Sequence, residues 1–200
     1  MKKTLSVEFI KSAAKPSDFP QPDLPEVAAV GRSNVGKSSL LNRLTGAKRM
    51  AFVSKTPGRT QLVNFFRLGA EMTLVDLPGY GFAKVPASVR QHWEKLVTAY
   101  LFERETLQLA LLLVDIRRDP MESDMQVRDL LVQNEVAHAV VATKADKLSK
   151  RRVRQQRAKL ERIYGAEGKV PLITFSAVTN EGRNELWQVI EKHIRRAPKK

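Results

Sequence analysis

The 200-residue sequence has no cysteine, which excludes disulfide bonds, thiolate catalysis and cysteine-based zinc or iron–sulfur sites. No uncharged apolar stretch approaches the roughly 20 residues that a membrane-spanning helix needs. No long apolar run follows the basic start Met1-Lys2-Lys3 either, as a signal peptide would require. We therefore expect a cytoplasmic protein with no membrane partner. The hydrophobic fraction of 42% is ordinary for a globular domain.

Acidic residues are also scarce, because 35 Lys and Arg face only 21 Asp and Glu and leave a net charge of +14. Most of the excess lies in two short segments. Residues 147–162 carry a net +7 and residues 191–200 a net +4. Clustered positive charge is typical of proteins that bind a phosphate-rich partner such as RNA. A solvated helix face and a frayed tail would have the same composition.

Short apolar runs alternate with helical patterns after residue 25. The predicted strands are 27–30, 62–66, 72–75, 109–114, 139–142 and 170–175, and the predicted helices are 37–44, 88–105, 123–133, 150–164 and 185–194. The alternation predicts an α/β fold with a doubly wound, mostly parallel six-stranded sheet and helices on both faces. We assign the proline-containing residues 1–25 to an N-terminal arm, residues 26–196 to one domain and residues 197–200 to a basic tail.

A phosphate-binding loop lies between the first predicted strand and helix. Its residues are Gly31, Arg32, Ser33, Asn34, Val35, Gly36, Lys37 and Ser38, in the pattern G-x-x-x-x-G-K-[ST]. The glycines let backbone N–H groups and the helix N-terminus approach phosphates. Lys37 is expected to contact the β- and γ-phosphates, and the Ser38 hydroxyl is expected to ligate Mg²⁺.

Three further segments follow predicted strands. The first is Asp76, Leu77, Pro78 and Gly79, the second is Thr143, Lys144, Ala145 and Asp146, and the third is Phe175, Ser176 and Ala177. Asp76 is placed to hold Mg²⁺ and the Gly79 N–H to sense a γ-phosphate. The Asp146 carboxylate can accept hydrogen bonds from guanine N1–H and the 2-amine, which adenine lacks. A backbone N–H after Ser176 could donate to guanine O6. Together these segments predict a guanine nucleotide, GTP or GDP, as the ligand.

These motifs resemble the EngB (YihA/YsxC) family of bacterial ribosome-biogenesis GTP-binding proteins, within the TrmE-Era-EngA-EngB-septin-like GTPases. The resemblance covers about residues 5–195. Its most diagnostic stretches are Thr-Pro-Gly-Arg-Thr-Gln at 56–61 and Asp-Leu-Pro-Gly-Tyr-Gly at 76–81. It implies a P-loop NTPase G domain that hydrolyses GTP with Mg²⁺ and acts in assembly of the large ribosomal subunit, and whose loss disturbs cell division and septation.

The resemblance also assigns residues of switch I. Thr60 would ligate Mg²⁺ opposite Ser38 and sense the γ-phosphate, so the residues expected to act in hydrolysis are Lys37, Thr60 and Gly79. The other nucleotide contacts expected in switch I are Gly58, Arg59, Gln61 and Leu62. Switch II would begin at Gly79 and present two exposed aromatic side chains, Tyr80 and Phe82, to a partner.

Two residues, Tyr80 and Thr143, depart from the pattern of related GTPases. Tyr80 stands where Ras-like GTPases have a glutamine that orients the attacking water, so we predict slow intrinsic hydrolysis that a partner accelerates, with Arg59 as a candidate arginine in cis. Asn34 resembles the residue with which related GTPases ligate K⁺, which makes stimulation by K⁺ a hypothesis. Thr143 replaces the usual asparagine of the guanine loop, but its hydroxyl can still link neighbouring loops.

The leading hypothesis is a monomeric, GTP-dependent switch that binds the large ribosomal subunit or its precursor. Ribosomal RNA would be contacted by the basic helix 150–162 and the C-terminal tail. Two alternatives remain open at this point. One is a structural RNA-binding protein with a vestigial nucleotide loop, and the other is an ATP-dependent kinase on a related fold.

Overall fold

The structure, a computed structural model, describes residues 6–46, 62–81, 87–165 and 169–195. Within these ranges it contains seven strands and five α-helices. The strands are β1 (Val7–Ala13), β2 (Glu26–Gly31), β3 (Val63–Leu68), β4 (Met72–Asp76), β5 (Leu107–Asp115), β6 (His138–Thr143) and β7 (Leu172–Thr174). The helices are α1 (Lys37–Thr45), α2 (Ala87–Glu103), α3 (Glu122–Gln133), α4 (Lys150–Tyr164) and α5 (Arg183–Ile194).

All seven strands form a single sheet in the order β1-β3-β4-β2-β5-β6-β7. Strands β4, β2, β5, β6 and β7 run parallel to one another, whereas β3 pairs antiparallel with both β1 and β4. The carboxyl ends of the parallel strands therefore lie along one edge, where open α/β sheets bind their ligands. The predicted doubly wound, mostly parallel sheet is confirmed.

Helices cover both faces of this sheet, as the apolar run of β5 predicts. Alternate residues of β5 enter two separate cores, with Leu112 on one side and Leu111 on the other. The first core is closed by α2, α3 and α4, and the second by α1 and α5. None of the described helices is long and apolar enough to cross a membrane.

The sheet has one strand more than the six predicted, because β1 falls within the segment assigned to the N-terminal arm. It pairs with β3 at the edge of the sheet, and its register shifts between Phe9 and Lys11. Polar residues dilute the apolar pattern of this segment, and the register shift interrupts its twofold alternation. These two features explain why the pattern of residues 7–13 does not indicate a strand.

Candidate nucleotide-binding site

Four loops meet at the carboxyl edge of the sheet, each directly after a parallel strand. The phosphate loop begins at the last residue of β2, the segment 76–80 at the last residue of β4 and the segment 143–146 at the last residue of β6, whereas the segment 175–177 follows β7. The strand-end positions predicted for these motifs are thereby confirmed. Residues 58–61, which carry the predicted roles of Gly58, Arg59, Thr60 and Gln61, lie outside the described residues.

The phosphate loop turns between β2 and α1 through two residues with positive φ. Asn34 has φ 61° and Gly36 has φ 110°, and the conformation at Gly36 strongly favours glycine. Gly31 is restricted by packing instead, because a Cβ there would lie 2.9 Å from the carbonyl oxygen of Leu113. The loop leads directly into α1, which begins at Lys37, so the free N–H groups of the first turn lie next to the loop.

Lys37 and Asp76 are brought together from different elements. The Lys37 Nζ donates a hydrogen bond to Asp76 Oδ1, and the two side chains are only 13% and 10% exposed. Asp76 is the last residue of β4, and Ser38 lies in the first turn of α1. A hydroxyl and a carboxylate are hard oxygen donors of the kind that Mg²⁺ takes beside substrate phosphates, so Ser38 and Asp76 fit this ion.

The segment after Asp76 is fixed to the phosphate loop by its backbone. The Ser33 N–H donates to the Tyr80 carbonyl at 2.9 Å, and the Tyr80 N–H donates to the Gly31 carbonyl at 3.3 Å. Between them, Gly79 lies so close to Ser33 that an added Cβ would come within 3.0 Å of the Ser33 nitrogen. A side chain at position 79 would therefore crowd the phosphate loop, which this residue faces.

Tyr80 does not present its ring to solvent, and the prediction of an exposed aromatic side chain is wrong at this position. The residue is only 6% exposed, and its hydroxyl donates to Asp124 Oδ1 in α3 at 2.7 Å. Burial, reinforced by the Asp124 carboxylate, raises the pKa of the Tyr80 hydroxyl far above its usual range. Burial also raises the pKa of Asp124, although the Tyr80 hydrogen bond partly opposes this rise. Phe82 lies outside the described residues.

Asp146 is held for base recognition by the neighbouring loop. Its Oδ1 accepts a hydrogen bond from the Ser176 hydroxyl at 2.8 Å, and the Ser176 oxygen accepts from the N–H groups of Val178 and Thr179, each at 3.1 Å. The bond from Ser176 lowers the pKa of the Asp146 carboxyl. An ionised carboxylate is purely an acceptor of hydrogen bonds, as guanine recognition requires.

Thr143 and Lys144 connect the guanine loop to the phosphate loop. The Thr143 hydroxyl lies 2.6 Å from the Val35 carbonyl oxygen, so the predicted link between loops is confirmed. Lys144 adopts φ 65° and donates from Nζ to the Asn34 carbonyl at 2.7 Å. The Lys144 stem therefore runs from the guanine loop back to the phosphate loop.

Asp115 contributes to the site, although the sequence pattern indicates only helix capping and N-terminal helix charge for the acidic cluster to which it belongs. It ends β5, and its Oδ2 accepts from Lys144 Nζ at 2.9 Å and from Arg117 Nη2 at 2.7 Å. Burial alone would raise the pKa of Asp115, but the hydrogen bonds from Arg117 and Lys144 outweigh it and hold the pKa well below the usual value. The rule that identified Asp76, an acidic residue at the end of a buried strand, also applies to Asp115.

Comparisons with known proteins agree with this site. Residues 26–144 match a family model described as a 50S ribosome-binding GTPase. The chain is 48% identical over 192 residues to the "Probable GTP-binding protein EngB" of Pelotomaculum thermopropionicum, covering 96% of this chain and 97% of that one. It is 49% identical over 189 residues to the protein of the same name from Geobacter metallireducens, covering 94% and 92%. A crystal structure of "a probable GTP-binding protein engB" shares the fold, with a TM-score of 0.71 and 24% identity over 86% of this chain and all of that one.

Proposed function

Since the chain belongs to the EngB family of GTP-binding proteins and is a GTPase, we propose that it acts as a GTP-dependent switch in assembly of the large ribosomal subunit. The observation that carries this proposal is the position of the basic helix α4. It begins at Lys150, only four residues after Asp146. A surface suited to RNA phosphates therefore adjoins the end of the nucleotide site that would hold the base.

Within the pocket, each described residue has a distinct proposed role. Lys37 neutralises charge on the β- and γ-phosphates, and the Gly79 N–H contacts the γ-phosphate. Asp146 accepts hydrogen bonds from guanine, and Ser176 holds that carboxylate in place. Ser38 and Asp76, together with Thr60 by resemblance, would hold Mg²⁺, which when bound neutralises charge that develops on the phosphates.

Hydrolysis by the chain alone is expected to be slow. The residue after Gly79 has no carboxamide, and its hydroxyl points into the core towards Asp124 rather than into the site. A supplied arginine accelerates GTP hydrolysis by about 10³–10⁵ in GTPases that use one. We therefore expect the ribosomal partner, K⁺ held near Asn34, or Arg59 to provide the missing positive charge.

The outer face of α4 has the charge and exposure that RNA binding needs. Among the described residues, five of its basic side chains are exposed and lack an acidic partner within ion-pair distance: Lys150, Arg151, Arg152, Arg154 and Arg162. Arg157 and Lys159 are instead paired, with Glu161 at 2.9 Å and with Asp119 at 2.7 Å. Unpaired cations are the ones free to displace counterions from phosphates. The basic residues near the C-terminus are proposed as a second contact for RNA phosphates.

The test is co-sedimentation of the protein with large ribosomal subunits in GDP and in a non-hydrolysable GTP analogue, over a salt series. We expect binding that depends on the nucleotide and weakens with salt. Replacing Arg151, Arg152 and Arg154 by Gln should weaken binding, whereas removing three charges elsewhere, by replacing Lys11, Lys15 and Lys95, should change it little. Equal losses in both triple variants, or no difference between the nucleotides, would contradict the proposal.

Effects on the cell follow from this role. A shortage of large subunits limits protein synthesis, so depletion of the protein should disturb cell division and septation as a secondary consequence. The same role requires a cytoplasmic location, where ribosomes assemble, and the switch is proposed to act as a monomer. Ribosome profiles recorded before and after division fails would separate cause from consequence, since the proposal requires the loss of large subunits to come first.

A further inference from the structure

Tyr80 is held in place through its backbone, its hydroxyl and its ring. Its N–H and carbonyl bond to Gly31 and Ser33 of the phosphate loop, and its hydroxyl bonds to Asp124 of α3. Its ring meets the Trp93 ring edge-on, with centroids 5.9 Å apart. One residue thus joins the phosphate loop to the helical layer on one face of the sheet.

The residue before Gly79 is fixed as well. The indole N–H of Trp93, in α2, donates to the Pro78 carbonyl at 3.0 Å. Gly79 therefore lies between two residues whose backbones are each held in place, Pro78 by a helix and Tyr80 by the phosphate loop. A peptide group held at both ends loses little conformational freedom when a ligand binds it, and such preorganisation favours binding.

A second tyrosine in the same core provides the comparison. Tyr100 donates to Glu26 Oε2 at 2.7 Å, the distance found between Tyr80 and Asp124. Both tyrosines are buried, and both belong to the same apolar cluster. However, Glu26 begins β2, at the opposite end of the strand from the phosphate loop. The hydroxyl–carboxylate pair alone therefore stabilises the core, and the connection to the nucleotide loop is particular to Tyr80.

We infer that Tyr80 and Trp93 are positioning residues, which hold the Gly79 N–H where a γ-phosphate is recognised. The inference rests on the proposed role of Gly79 as a γ-phosphate contact. Tyr80 acts through its backbone bonds to the phosphate loop and its side-chain bond to Asp124, and Trp93 acts through Pro78. The tyrosine at this position would thus help to distinguish GTP from GDP without orienting the attacking water.

The inference is tested by the ratio of two affinities, that for a non-hydrolysable GTP analogue and that for GDP. Tyr80→Phe removes the hydroxyl, and Trp93→Phe removes the indole N–H while keeping an aromatic ring. We expect each to weaken binding of the analogue by about tenfold, a change of roughly 1.4 kcal/mol, with GDP affinity altered less than twofold. Tyr100→Phe is the matched control, and it should lower thermal stability while leaving the ratio unchanged.

Asp124→Asn separates positioning from a general loss of packing. The carboxamide oxygen can still accept the Tyr80 hydrogen bond, so this variant should keep a ratio close to that of the unaltered protein. Trp93 is only partly buried, which makes Trp93→Phe informative even if Tyr80→Phe folds poorly. Equal weakening of both nucleotides, or an unchanged ratio in Trp93→Phe, would overturn the inference. If the unaltered protein binds neither nucleotide, the proposed site itself fails, which is a different result.

Discussion

Two arginine–carboxylate pairs of similar geometry should contribute very differently to stability, because the arginine is buried in one pair and partly exposed in the other. Arg104 donates to both Glu26 oxygens, with Nη2 at 2.6 Å from Oε1 and Nε at 3.1 Å from Oε2. Arg117 donates to both Asp115 oxygens at 2.9 and 2.7 Å. The arginine side chains are 10% and 39% exposed, respectively.

The expected losses follow from what each carboxylate retains. In Arg104→Met the Glu26 side chain, only 2% exposed, keeps one hydrogen bond from the part of the chain that the structure describes, that of Tyr100. Leaving a buried charge without its partner costs about 3–5 kcal/mol, and for a domain of this size that lowers the Tm by about 10 °C. In Arg117→Met the Asp115 carboxylate, itself only 8% exposed, keeps the Lys144 bond. Because the Arg117 side chain reaches solvent, its loss should cost about 1 kcal/mol.

Urea denaturation of both variants measures the difference in their free energies of unfolding. The GDP concentration is kept the same throughout, because bound nucleotide itself stabilises the fold. Glu26 begins β2 and the phosphate loop follows its other end, about 16 Å away at 3.3 Å per residue. GDP affinity should therefore be unchanged in Arg104→Met. The double variant Arg104→Met/Glu26→Gln should recover part of the stability, since it removes the unpaired charge. Equal losses in the two single variants would refute the argument that burial decides the contribution.

Three further predictions concern the site. Asp146→Asn should move the preference from guanine to xanthine nucleotides by more than about tenfold in competition binding, because a carboxamide can donate to the 2-oxygen of xanthine. GTP hydrolysis should be faster in KCl than in NaCl at equal ionic strength, and equal rates would remove the role proposed for Asn34. Burial raises the pKa of Asp124, so the folded protein binds more protons than the unfolded chain between the ordinary and the raised value. The contribution of this group to the free energy of unfolding therefore falls as pH rises through that window. In Asp124→Asn the free energy of unfolding, measured by urea denaturation at a series of pH values, should depend less on pH over the same range.

The strand-end motifs could be predicted because each depends on a short stretch of sequence and one rule of topology. A glycine-rich turn before Lys37 identifies the phosphate loop locally. Parallel strands then bring their carboxyl ends to one edge of the sheet. These two facts suffice to place Asp76 near Lys37, although 39 residues separate them in the chain.

The orientation of Tyr80 could not be predicted in the same way. Its partner Asp124 is 44 residues further along the chain, and no local pattern relates the two. An aromatic residue after a Gly-containing turn is equally compatible with an exposed ring and a buried one. The outcome is decided by α3, which places a carboxylate inside the core where it requires a donor. The edge strand β1 is missed for a different reason, since only its pairing with β3 makes its diluted pattern a strand.

The phosphate loop is contacted by the loops that would recognise both ends of the nucleotide. Thr143 and Lys144 reach the carbonyls of Val35 and Asn34 from the guanine loop, and Tyr80 bonds to Ser33 from the other side. These contacts reach different residues of the loop, since the guanine loop bonds to Asn34 and Val35 and Tyr80 bonds to Ser33. We therefore expect the two sets of contacts to affect different parts of nucleotide recognition. Thr143→Ala, which removes a contact from the guanine loop, should weaken a GTP analogue and GDP by similar factors, whereas Tyr80→Phe should weaken the analogue selectively. Isothermal titration of both nucleotides against both variants measures this difference, and selective loss of the analogue in Thr143→Ala would contradict the division of roles.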